Sequence, residues 1–181
     1  ITIDPRGGGA SQRNVETITL ESGVHDLLAV VDHLDIRRFA LLAQYPYHAP
    51  GLMFAARYVE RVVRLAVWSP RVAQQGRPDI GESARANWGM YTRAAATLFF
   101  PTGPAEAQRL YSNAFRSGTT PDAVANVFDW TYDLTPLLPE LTMPVLVLYR
   151  KHAQGNEAEQ ARTMASLMPN AHLMAIEGDV G

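Results

Sequence analysis

The chain has 181 residues, 47% of them apolar and 19% charged, an ordinary soluble globular composition with enough apolar material for one core of moderate size. A formal net charge of -2, with Lys and Arg scattered along the chain, argues against a nucleic-acid-binding face in this segment. The lack of cysteine excludes disulfides, thiolate catalysis and zinc–thiolate sites and suits a reducing, cytoplasmic setting. No apolar stretch reaches the roughly 18 residues that a membrane-spanning helix needs, so neither a membrane nor nucleic acid is an expected partner.

Ile1 to Asp4 reads as a short strand remnant, followed by a turn at Gly7-Gly8-Gly9, because three glycines fit neither a helix nor a strand interior. The chain opens without a signal-peptide pattern or an initiator methionine, so residues upstream of Ile1 are expected. Ser22 is a candidate cap for a helix over Val24 to Leu34, where Leu27, Leu28, Val31 and Leu34 recur at helical spacing. Phe39 to Leu42 is too short an apolar run for a helix and reads as a buried strand; Ala49 to Tyr58 reads as a helix and Val62 to Val67 as a second strand. Strand, helix and strand with short links imply a parallel crossover.

From Ser69 to Leu141 the pattern changes to helical segments, Glu82 to Leu98, Pro104 to Phe115 and Pro121 to Thr131, separated by Gly and Pro, with no convincing strand. Strand logic resumes at Pro144 to Tyr149, with a helix over Glu157 to Met168 and a last strand over His172 to Ile176. The expected organisation is α/β: a core from 1–70, a helical cap or lid inserted over 71–141, and the rest of the core from 142–181.

Several stretches resemble the α/β-hydrolase fold, in order and with similar gaps. Asp4-Pro5-Arg6-Gly7-Gly8-Gly9-Ala10-Ser11 is similar to the family's D-x-R-G-x-G-x-S turn. Ala55-Ala56-Arg57-Tyr58-Val59-Glu60-Arg61-Val62 resembles A-A-R-x-P-E-R-V, with Val59 where proline is usual. Met143-Pro144-Val145-Leu146-Val147-Leu148 and Met168-Pro169-Asn170-Ala171-His172-Leu173 look like the last two strand approaches. The resemblance implies a partial fold, a mostly parallel sheet flanked by helices with an inserted lid and with the early strands outside this chain. Those missing strands, or another chain, would then have to complete the sheet.

The same likeness places the chemistry, and each position is substituted. The nucleophile elbow G-x-S-x-G falls on Ala43-Gln44-Tyr45-Pro46-Tyr47, with Tyr45 in place of serine and bulky Tyr47 in place of glycine. A tyrosine at positive φ would cost about 1–2 kcal/mol, so a relaxed elbow is expected. The triad acid falls on Ala153 and the histidine on Gly181. Because nucleophile, acid and histidine act as a unit, their joint loss removes conventional ester hydrolysis. A narrower likeness, carried by Tyr132 to Pro139 and by Leu65-Ala66-Val67-Trp68, points to degenerate hydrolase domains fused to bacterial adenylyl cyclases or helix-turn-helix regulators.

Tyr45 reads either as an unusual nucleophile or acid or as pocket wall, its unperturbed pKa near 10 favouring the latter. His48 reads either as a base or as a surface or capping residue. Arg150, Lys151 and His152 offer either an anion site or a solvated loop. The aromatic residues of the helical segment line a ligand cavity or form that segment's own core. No metal or cofactor motif is present: the glycine run lacks the P-loop lysine and hydroxyl and the dinucleotide fingerprint.

The expected function is a non-catalytic regulatory or ligand-sensing domain of a larger signalling or transcription-regulating protein. Gln44, Tyr45, Tyr47, Trp88, Tyr91 and Trp130 are its expected contacts to a small apolar ligand. The alternatives are an enzyme with an unconventional site and a structural or oligomerisation domain.

Overall fold

The computed structural model describes residues 1–101, 103–151 and 155–177. Contacts divide them into two compact units, one of residues 20–74 and 131–177 and one of residues 1–19 and 75–130.

The first unit is built on a four-stranded parallel sheet. In chain order its elements are helix α1 (Leu20–His33), strand β1 (Phe39–Gln44), helix α2 (His48–Arg57) and strand β2 (Val62–Trp68), then strand β3 (Ala73–Gln74), strand β4 (Tyr132–Asp133), strand β5 (Val145–Arg150), helix α7 (Glu157–Leu167) and strand β6 (Ala171–Ile176). The sheet order is β1-β2-β5-β6, every pair parallel. Ala43, Val67 and Val147 lie side by side in this register and are buried, which is why these short runs read as near-continuous apolar sequence. Gly51 lets α2 lie against β1: a Cβ there would stand 2.9 Å from that of Ala43. β3 and β4 form a separate antiparallel ladder with Ala73 opposite Asp133 and Gln74 opposite Tyr132. The sequence carried no sign of it, because two residues are too few to show a period.

The second unit holds helices α3 (Pro78–Ala86), α4 (Trp88–Phe99), α5 (Ala105–Gly118) and α6 (Pro121–Phe128). The helix expected over Glu82 to Leu98 is two helices, because the Asn87 side chain accepts the Met90 amide and starts α4 afresh. Thr120 caps α6 in the same way through the Ala123 amide, with Pro121 in the first helical position. α4 and α5 meet through an aromatic series in which Trp88 stacks on Tyr91 at 5.6 Å and meets Phe115 at 5.5 Å, while Tyr111 meets Phe99 at 5.5 Å and Phe100 at 5.0 Å.

Ile1 to Asp4 forms no strand, contrary to the sequence reading. Its backbone and side-chain groups are drawn into the glycine turn instead: Ser11 Oγ donates to the Asp4 carbonyl and the Ala10 amide donates to Asp4 Oδ2. Gly9 sits at φ 55, where a Cβ would collide with the Asp4 carboxylate, so only glycine closes this turn. Residues 1–19 accordingly cluster with the helical segment.

Candidate functional site

The turn between β1 and α2 carries the substituted elbow. Of the non-glycine residues described, only Asp35 and Ser69 have positive φ, so Tyr45 does not adopt the strained conformation of an elbow nucleophile. The Tyr45–Pro46 peptide is cis, and Tyr47, the residue before α2, lies at φ -93 with no side-chain cap. The elbow is relaxed.

His48, the first residue of α2, is completely buried. This corrects the reading of it as a surface residue: the turn directs the ring inward, where Nε2 lies 2.8 Å from the Arg71 carbonyl oxygen and 3.1 Å from the Arg71 amide nitrogen. Neutral imidazole presents one donor and one acceptor, so a single nitrogen serves only one of these two groups in any given tautomer. The other nitrogen, Nδ1, is buried without a partner. Burial pulls the His48 pKa down to about 4 despite the Arg71 carbonyl, and the Arg71 charge lowers it further. The ring is therefore neutral at pH 7.

Three further side chains stand around His48. The Tyr45 ring is 5.9 Å away, centroid to centroid, and the Tyr132 ring is 6.1 Å away, edge to face. The Arg71 guanidinium lies over the Tyr45 ring, 5.3 Å from its centroid. The β3–β4 ladder brings Tyr132 close to Arg71: the Leu134 amide donates to the Val72 carbonyl, and Gln160 Oε1 of α7 accepts the Val72 amide. The Tyr132 hydroxyl is also buried without a partner. Burial raises its pKa well above the ordinary phenol value; the nearby Tyr45 hydroxyl pushes the same way and the Arg71 charge opposes it. Burial pushes the Tyr47 phenol up to about 12.

Of the expected site residues, Gln44, Tyr45 and Tyr47 lie in and beside this turn, with Gln44 exposed at the end of β1. Trp88 and Tyr91 belong to the aromatic series of α4 and α5. Trp130 is 7% exposed and its indole N–H donates to the Ile18 carbonyl at 2.9 Å. Ala153, Gly181 and His152 lie outside the described residues. Sequence reasoning missed Arg71, 23 positions from His48, and counted Tyr132, 84 positions away, among the aromatic residues of the helical segment rather than beside His48.

A second polar cluster closes the ends of β2 and β5. Glu157 Oε1 accepts from Ser69 Oγ and from the Arg150 amide, each at 2.9 Å, and Glu157 Oε2 pairs with the Arg150 guanidinium at 2.9 Å. Ser69 is held at φ 50, and the carboxylate stands at the first turn of α7, where the helix dipole favours it. An open depression of about 400 Å³ is lined by Asp32, Asp35, Ile36, Arg37 and Arg61, but its Arg61 guanidinium is already bound to Asp32 and to the Ile36 and Arg37 carbonyls. Among the described residues, no three His, Asp or Glu side chains stand together as a metal site, and no helix is long and apolar enough to cross a membrane.

No family model matches the chain, and no curated protein does. Solved structures do. The enol-lactonase from Burkholderia xenovorans superposes with a TM-score of 0.80 at 23% identity over 94% of this chain and 69% of that one. An alpha/beta hydrolase enzyme from a Medee basin deep-sea metagenome gives 0.81 at 21% identity over 96% and 69%. The chain has the α/β-hydrolase fold. The bromoperoxidase from Bacillus anthracis, at 0.82, 16% identity and 96% and 71% coverage, shares that fold under a different chemistry, so the scaffold alone assigns no reaction. All three relatives extend beyond the matched region.

Proposed function

We propose that this α/β-hydrolase-fold chain is a non-catalytic ligand-sensing domain of a larger cytoplasmic regulatory protein. The observation that carries the reading is Tyr45: it stands in the place of the nucleophile, outside the positive-φ region, with its ring face covered by the Arg71 guanidinium. A phenol so held lacks the projection to make it an acyl acceptor, and the neighbouring His48 ring has its Nε2 taken by the Arg71 backbone. The substitutions at Ala153 and Gly181 support the same reading. A small ligand with an apolar body would be received near Gln44, Tyr45 and Tyr47 of the sheet unit; Trp88, Tyr91 and Trp130 of the helical unit are proposed ligand contacts in their own right.

Completion of the sheet by another segment or chain is part of this proposal. β1 and β6 are the sheet edges, and the register puts Leu42, Ala66, Trp68, Leu146, Leu148 and Met174 on one face. Leu42 is 61% exposed and Met174 51%, an apolar surface suited to a covering element.

The experiment is a turnover assay of the chain with p-nitrophenyl esters, beside a thermal-shift screen with small aromatic and acyl compounds. The sensing reading expects no turnover above the uncatalysed rate and stabilisation by at least one compound class. Turnover that disappears in Tyr45→Phe or His48→Gln would replace it with the enzyme reading, which the closeness of the neutral His48 ring to Tyr45 favours.

A further inference from the structure

Four side chains of the sheet unit form a recognition set that is missing one kind of partner. His48 and Tyr132 are buried, and each keeps a polar atom, Nδ1 and the phenolic oxygen, with no hydrogen-bond partner. Leaving such groups unsatisfied in a core is costly, on the order of 1–3 kcal/mol each, so a native structure that keeps two of them side by side calls for an explanation. Arg71 is exposed and in no ion pair with a described residue, and its guanidinium lies over Tyr45 rather than against a carboxylate. Among the described residues, the ring, cation and side-chain hydrogen-bond contacts of these four side chains are to one another and to the Arg71 backbone. No described acid is among those contacts.

We propose that Tyr45, His48, Arg71 and Tyr132 form a binding site for a small monocarboxylate with an aromatic or aliphatic body. The planar guanidinium fork matches a carboxylate in two-point contact, and the Tyr132 hydroxyl is a donor in want of an acceptor. In the tautomer that accepts the Arg71 amide at Nε2, His48 offers Nδ1–H as a second such donor. The ring faces of Tyr45 and Tyr132 suit the apolar part of the ligand. A phosphate would match the charge equally, but its several charged oxygens would call for more than the one cation that the described residues place there. A neutral apolar compound would leave both buried polar atoms unsatisfied. The inference rests on the ligand-sensing reading and narrows it to one chemical class.

The test uses the full chain and three acid and amide pairs, acetate with acetamide, benzoate with benzamide and octanoate with octanamide, measured by calorimetry and by nitrogen NMR of the His48 ring. The expected result is binding of benzoate or octanoate at least tenfold tighter than of its amide, with a shift of the His48 nitrogen signals. Arg71→Gln should weaken the acid about tenfold or more and leave the amide unchanged, whereas Tyr132→Phe should weaken both, because an amide carbonyl also accepts from the phenol. Arg71→Gln lies on the surface and tests the site even where Tyr132→Phe perturbs folding. Equal affinity for acid and amide overturns carboxylate recognition while leaving a ligand-sensing domain standing. If none of the six compounds binds, and the wider thermal-shift screen is also silent, both fall together.

Discussion

His48 and Arg71 are joined through the imidazole of one and the backbone of the other, with Nε2 lying 2.8 Å from the carbonyl oxygen and 3.1 Å from the amide nitrogen. This ties the start of α2, which follows the substituted elbow, to the segment leaving β2. It also requires that the ring stay neutral, since a buried imidazolium would meet the nearby Arg71 charge with no carboxylate to offset it.

A pH dependence of stability follows from that neutrality. The His48 pKa is lowered from 6.5 to about 4 on folding, so between those values the unfolded chain binds the extra proton and the folded chain does not. Stability is complete above pH 6.5 and declines as the pH falls toward 4, by about 3 kcal/mol at about 1.36 kcal/mol per pH unit. The groups facing the ring are Arg71, Tyr45 and Tyr132. Urea unfolding followed by circular dichroism at pH 7, 6, 5 and 4 measures the slope. His48→Gln should flatten it relative to the parent chain, whatever its effect on stability at pH 7, and an unchanged slope would show that His48 is not the titrating group.

The second polar cluster makes a different demand. Glu157 accepts from Ser69 Oγ, the Arg150 amide and the Arg150 guanidinium, with only 10% of its side chain exposed. Glu157→Gln keeps the shape but removes the charge, leaving Arg150 partly buried and unpaired. The expected loss is about 2–3 kcal/mol, below that of a fully buried pair because Arg150 keeps some solvent. Chemical denaturation of the variant checks this. Arg150→Met in the same background should recover part of the loss, because it removes the stranded cation.

Local signals in the sequence account for most of the sheet unit. Phe39 to Leu42 and Val62 to Val67 announce β1 and β2 by their near-continuous apolar composition; the structure extends them to Gln44 and Trp68, and of β1 it buries only Ala43, leaving Leu42 61% exposed instead of buried as expected. Asn87 is a legible helix start that an apolar count across Glu82 to Leu98 overrode. Ile1 to Asp4 has strand composition, yet its backbone and carboxylate are engaged by the glycine turn, which composition does not express. The site was only half legible. Tyr45 and Tyr47 declare themselves by replacing small residues at a turn, but Arg71 and Tyr132 join them through the β3–β4 ladder, a contact between distant segments with no repeating pattern to read.

Packing behind the elbow gives a third expectation. Gly51 faces Ala43 so closely that a Cβ would stand 2.9 Å from its neighbour, itself a buried residue held in the β1–β2 ladder. Gly51→Ala gains up to about 1 kcal/mol in helix propensity, but overpacking a strand against a helix costs about 1–3 kcal/mol. The net result should be destabilisation by about 1 kcal/mol, read from the denaturation midpoint. Ala43→Gly removes the opposing methyl, so the double variant should lose less than the sum of the single ones; simple additivity would mean that the contact is not the cause.

Restoring the missing hydroxyl should not restore an enzyme. A serine nucleophile acts from a sharply strained turn that lifts its oxygen clear of the backbone, and the backbone at Tyr45 lies outside the positive-φ region where that strain is held. Tyr47 fills the place where the family's elbow has glycine, with its phenol largely buried. Tyr45→Ser therefore inherits a turn of the wrong shape and, in His48, an imidazole whose Nε2 is already engaged by the Arg71 backbone. Its hydrolysis of p-nitrophenyl acetate should stay within about twofold of the parent chain, since a hydroxyl without base and geometry loses the several orders of magnitude that a triad supplies. A burst of p-nitrophenolate followed by slow turnover would reveal an acyl-serine intermediate, and with it an elbow still able to adopt the catalytic shape. Tyr45→Ser combined with Tyr47→Gly separates the two contributions: activity only in the double variant would assign the block to the turn rather than to the absent triad.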